Sequence, residues 1–87
     1  MRVLLHRSFS KQFAKLDRKL RLRFIERKEL FIIEPHHPLL DNHALDHEWA
    51  GCRSINITGD WRAIFRTIET DVVEFLAIGT HHQLYGK

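Results

Sequence analysis

Three apolar runs crowd the second half of the chain, each parted from the next by only a few turn-forming residues, and that spacing leaves few folds open. Ser54-Ile55-Asn56-Ile57 alternates, Gly59-Asp60 marks a turn, Trp61 to Arg66 forms a second run, and Glu69-Thr70-Asp71 precedes a third from Val72 to Ile78. Strands joined so tightly pair antiparallel, because a parallel return needs a crossover of about a dozen residues or more. The pattern therefore predicts a meander. Val3-Leu4-Leu5 predicts one further strand, placed at an edge or beside the last.

The first half reads as helix. Ser8 suits a helix N-cap, and Phe9, Phe13 and Leu16 follow at helical spacing with Lys11 and Lys15 facing out. Asp17 breaks this helix and can cap a second one, along which Leu20, Phe24 and Phe31 keep the spacing with Ile25 and Ile32 beside them. Pro35 and Pro38 push the residues before them out of the helical region, so the second helix ends there. Two short helices cannot hide such a stripe alone, and it must cover a sheet. The expected fold is α+β, with two amino-terminal helices on a four-stranded antiparallel sheet. Residues 35 to 51 are expected to form one long irregular segment carrying His36, His37, His43 and His47.

At 87 residues, 44% of them hydrophobic, residues 1–87 are expected to form a single domain with one core. Cys52 is the one cysteine, so no internal disulfide can form and a reducing cytoplasmic setting is expected. The apolar part of the amino terminus is too short for a signal peptide, and no run approaches the roughly 18 residues of a membrane span. Net charge is +3 but unevenly spread: residues 1–28 hold ten Lys/Arg against Asp17 and Glu26 (+8), and residues 29–87 hold four against nine acids (−5). A basic surface of this kind attracts a phosphate backbone or an acidic protein. Arg21, Arg23 and Arg27 on the second helix are its candidate RNA contacts.

Cleaving RNA through its own 2′-hydroxyl needs a base, an acid, and donors for the charge on the phosphorane. His43 in the loop, Asp60 at the turn and His81 beyond Gly79-Thr80 all fall at element ends, where side chains can converge on one sheet edge. Trp61 and Tyr85 offer rings on which unpaired bases stack, with Trp61 equally readable as a core residue of its strand. Arg53 and Arg62 lie on neighbouring strands and can face a phosphate or form surface ion pairs. The spacing His43-x-x-x-His47 is compatible with zinc, but no second paired motif accompanies it. No metal and no cofactor are expected.

Trp49-Ala50-Gly51-Cys52-Arg53-Ser54, the Gly-Asp-Trp-Arg start at Gly59 and the ending Gly79-Thr80-His81-His82-Gln83-Leu84-Tyr85-Gly86 together resemble the RelE/YafQ-like toxins of bacterial type II toxin-antitoxin modules. With the basic helices included, the resemblance spans nearly the whole chain. It implies a ribosome-associated mRNA endoribonuclease neutralised by a cognate antitoxin, touching operator DNA only through that antitoxin and having no membrane contact. It also implies catalytic roles for His43, Asp60, His81 and Tyr85, with Tyr85 standing where the family usually has Phe. Two family positions differ: Asn56 replaces a strand histidine and Ala77 an arginine. Arg53 or Arg62 is then expected to stabilise the transition state. Two rival readings are a ParE-like relative that poisons gyrase by binding, and a catalytically weak homologue retained for binding the antitoxin.

Overall fold

The computed structural model describes residues 1–86. Elements run β1 (Arg2–Leu5), α1 (Arg7–Ala14), α2 (Arg18–Ile33), a 3-10 turn (Pro38–Leu40), β2 (His43–Ala44), a second 3-10 turn (His47–Trp49), β3 (Arg53–Thr58), β4 (Trp61–Glu69), β5 (Val72–Thr80) and α3 (His81–Tyr85). The sheet order is β1-β5-β4-β3-β2. α1 lies over β5 and α2 over β3.

The meander forms as its turns require. Thr58 pairs with Trp61 across Gly59-Asp60, and Gly59 takes φ +52, a conformation that costs glycine nothing. The sheet, however, has five strands rather than four, and it is mixed. β1 runs parallel to β5, with Val3 opposite Val73 and Leu5 opposite Phe75. Parallel pairing is open to β1 because most of the chain intervenes before β5, so no hairpin dictates its direction. The start of β1 is pinned to the turn before β5: Arg2 N–H donates to the Asp71 carbonyl at 2.8 Å, and the amino-terminal ammonium lies 3.2 Å from the Asp71 carboxylate. The fifth strand is β2, drawn from the segment expected to be irregular. It pairs His43 with Ser54 and Ala44 with Arg53.

Helix entry is partly as expected. Asp17 caps α2, its carboxylate accepting from Leu20 N–H at 2.9 Å. α1 is capped by His6 instead of Ser8; the His6 imidazole accepts from Ser8 N–H. The Ser8 hydroxyl is thereby free to donate to the Leu76 carbonyl at 2.8 Å, tying α1 to β5. α2 ends at Ile33, ahead of Pro35.

The core lies between helices and sheet. Phe9, Phe24, Phe31, Phe65 and Phe75 are all buried, with ring centroids of contacting pairs 4.8 to 5.8 Å apart, joined by Ile55, Ile57 and Ala63 from the strands and by Leu40 from the first 3-10 turn. Strand alternation sends Ser54, Asn56, Arg62 and Ile64 to the opposite face. That face, next to β2, carries the polar network described next.

Candidate active site

The site starts from a buried arginine. Arg62 is 8% exposed, and its guanidinium is held from several directions. Nε donates to the Ser54 hydroxyl at 3.0 Å, and Nη2 donates to the Asp41 carbonyl at 2.8 Å and the Ser54 carbonyl at 3.3 Å. Nη1 is 3.3 Å from the Asp41 carboxylate. The sequence leaves Arg62 to face a phosphate or to form a surface ion pair; the fold turns it inward and pairs it with Asp41. Five donors on a planar fork are what so many fixed acceptors need.

This network positions His43. Its Nδ1 lies 3.0 Å from the Asp41 carbonyl and 3.3 Å from Arg62 Nη2. The shorter contact, to an oxygen that can only accept, calls for a proton on Nδ1 and leaves the Nε2 lone pair free. Asp41 makes the geometry by adopting φ +44, a left-handed conformation that Asp tolerates better than most residues. Arg53 belongs to the same scaffold. Its Nε donates to Asn42 Oδ1 at 2.8 Å and its Nη2 to the Asn42 carbonyl at 3.3 Å, so it braces the loop before β2.

The second half of the site is α3. Thr80 and Gln83 form a reciprocal cap, Gln83 N–H to the Thr80 hydroxyl at 3.2 Å and Thr80 N–H to Gln83 Oε1 at 2.9 Å. Gly79 makes room for it, since a Cβ there would lie 3.0 Å from Gln83 Oε1 and 3.3 Å from its Cβ. His81 N–H donates to the Asp60 carbonyl at 3.1 Å, so Asp60 reaches the site through its main chain while its side chain is exposed. The His81 and Tyr85 rings meet edge-on with centroids 4.6 Å apart. The Tyr85 hydroxyl is buried without a protein partner. The Trp49 indole N–H donates to the Leu84 carbonyl at 3.0 Å and fastens α3 to the second 3-10 turn.

His43, His81 and Tyr85 line one open cleft of about 480 Å³, together with Asp46, His47 and Glu48. Three of the four expected catalytic residues thus share a cavity, with Asp60 at its margin. The expected RNA contacts do not gather there. Trp61 is partly buried against the core and borders two other grooves, one lined by Lys15 and Leu16, the other by Lys19 and Arg23. Arg21 donates to the Leu16 carbonyl and Arg27 to the Ile57 carbonyl, so both brace the fold. Arg23 lies 3.9 Å from Glu26 in an ion pair and also lines the groove beside Trp61. Sequence reasoning passed over Asp41, Asn42 and Ser54. Asp41-Asn42 is itself a turn signal, but its bonds to Arg62 and Arg53 are long-range. Among the described residues, no group of three or more His, Cys, Asp or Glu side chains is arranged to hold a metal ion. No helix among them is long and apolar enough to cross a membrane.

Comparison with known proteins agrees with this architecture. The family model for the bacterial toxin of type II toxin-antitoxin systems, YafQ, matches residues 1–86. YafQ from E. coli superposes with a TM-score of 0.76 at 24% identity, covering 99% of this chain and 100% of that one. The YoeB/ParE toxin from Agrobacterium tumefaciens gives 0.76 at 18% identity, with 93% and 99% coverage. The E. coli DinJ-YafQ complex gives 0.72 at 22% identity, with 99% and 100% coverage. No curated sequence relative matches at a significant level. The family match over nearly the full length, on a fold shared with these toxins, places the chain in the YafQ family of bacterial type II toxin-antitoxin toxins.

Proposed function

We propose that the chain is an endoribonuclease that cuts ribosome-bound mRNA through the 2′-hydroxyl of the substrate. The observation that carries this reading is the cleft in which His43, fixed at Nδ1 by the Asp41 carbonyl, shares one cavity with the packed His81-Tyr85 pair. His43 Nε2 takes the 2′-hydroxyl proton as the 2′-oxygen attacks phosphorus. His81 gives a proton to the 5′-oxygen as the P–O5′ bond breaks, leaving a 2′,3′-cyclic phosphate and a 5′-hydroxyl. Tyr85 provides a ring against which a base flanking the scissile bond can stack. Asp60 holds the start of α3, and therefore His81, through its carbonyl. The cleft is open, so the ribosome supplies the orientation that a deep pocket would otherwise give.

A cognate antitoxin is the partner that this reading assigns to the basic helices. The E. coli relative is found in a DinJ-YafQ complex, and ten Lys/Arg within residues 1–28 suit an acidic segment that folds on binding. Arg23, with Lys19 and Trp61 beside it, is the part of this surface best placed to touch RNA as well. The reading is tested by inducing the chain in growing cells and mapping message ends. New ends within translated messages, suppressed when the antitoxin is co-expressed, are expected. Growth arrest with intact messages and altered DNA supercoiling would instead point to a gyrase-directed toxin.

A further inference from the structure

The cleft contains no arginine or lysine among the described residues, although a pentacoordinate phosphorane builds up charge that a cationic donor would stabilise strongly. Arg62 is buried beneath His43 and its donors face Ser54 and Asp41, while Arg53 is turned onto Asn42. Ala77, 5% exposed within β5, provides no charge. Three cleft side chains can become cations: His43, His81 and His47. The first two exchange protons with substrate in the proposed reaction. His47 is left over.

The backbone holds His47 at the cleft by an unusual conformation. Its φ is +56, in the left-handed region that side-chain-bearing residues seldom occupy. The second 3-10 turn fixes it there through Ala50 N–H to the His47 carbonyl at 3.0 Å and Trp49 N–H to the Asp46 carbonyl at 3.1 Å. The Trp49 indole in turn anchors the turn to α3, the helix that carries His81 and Tyr85. A rotation of this turn would therefore move His47 relative to His81, and the anchor resists it.

We infer that His47 is a third catalytic imidazole, whose protonated ring donates to a non-bridging phosphate oxygen and offsets the charge that builds there as the 2′-oxygen attacks. This rests on the nuclease reading of the cleft. His47 transfers no proton in this role, so the proton balance between His43 and His81 is unchanged.

The test uses ribosomes programmed with a defined message and measures single-turnover cleavage. His47→Gly removes the ring and relieves the left-handed strain, and His47→Asn keeps a residue that tolerates this φ without a charge. Both are expected to cleave about 10²-fold more slowly or worse, as for loss of an oxyanion donor, while His47→Gly melts at or above the parental temperature. His47→Arg restores a cation and is expected to recover at least a tenth of the parental rate. A His47 with no part in the reaction would leave His47→Gly and His47→Asn cleaving at the parental rate. That result, beside a cleaving parent, overturns the assignment of His47 alone. A folded parent that cuts no message on the ribosome would overturn the nuclease reading and this assignment with it.

Discussion

Arg62→Ala is expected to lower cleavage about 10²-fold or more and also to destabilise the fold. The guanidinium donates to the Ser54 hydroxyl and carbonyl and to the Asp41 carbonyl that holds His43, and alanine leaves those acceptors facing a void. Leaving a buried acceptor unsatisfied costs roughly 1–3 kcal/mol. The Asp41 carboxylate adds little, since it is 71% exposed and can return to water. At about 4–8 °C per kcal/mol for a domain of this size, melting should fall by roughly 4–24 °C and still leave a folded protein at low temperature. The larger effect is on rate. Without Arg62 the Asp41 carbonyl that orients His43 loses its tie to β4, although the Asn42–Arg53 brace remains, and a misplacement of about 1 Å in a catalytic group can cost 10²-fold. Arg62→Lys keeps the charge but cannot reach the same acceptors as a planar fork, so it should resemble alanine in rate more than it resembles the parent. Cleavage near the parental rate in a folded Arg62→Ala protein would show that His43 needs no such support.

His81→Ala should cost still more in rate and almost nothing in stability. The side chain is exposed, and its main-chain bond to Asp60 and the Thr80-Gln83 cap do not involve the imidazole. Loss of a positioned proton donor typically slows the step about 10²- to 10⁴-fold. His82→Ala is the internal control, because its exposed ring lies outside the residues that line the cleft. It should cleave at the parental rate. Equal loss in both variants would indicate damage to α3 rather than removal of an acid.

The contrast between these two residues shows what can be read along the chain and what cannot. The place of His81 at an element end is legible because Gly79-Thr80-His81 carries its own punctuation: a strand ends, a cap follows, and the imidazole comes next. The Asp17 cap, the Gly59-Asp60 turn and the stop before Pro35 are local in the same way. The burial of Arg62 is not legible, because alternation only assigns it to the face away from the helices. That face is dry here because the Asp41-Asn42-His43 segment folds over it, and this contact joins residues about twenty apart. Ser8 was misread for a related reason: its hydroxyl bonds to Leu76, across most of the chain, and the cap falls to His6. β1 shows the limit for topology. Its apolar run predicts a strand, but its direction depends on the Asp71 turn and on a pairing that no hairpin imposes. Apolar periodicity also passes over α3, whose signal is the Thr80-x-x-Gln83 capping box alone. Asn56 illustrates a departure from the family pattern with a structural use, since its amide donates to the Gly59 carbonyl at 3.1 Å and stiffens the turn beside Asp60.

The central claim is that this cleft uses the substrate's own 2′-hydroxyl. It is tested most directly with two messages that differ at one atom: the nucleotide 5′ of the mapped cut carries either a 2′-hydroxyl or a 2′-hydrogen, and each is loaded on ribosomes and mixed with the purified toxin. The ribose message should be cut at that position, leaving a 2′,3′-cyclic phosphate and a 5′-hydroxyl, while the 2′-deoxy message remains whole there. Cleavage of the 2′-deoxy message at the same bond would contradict the account, because the nucleophile would then have to be water or a side chain rather than the RNA itself.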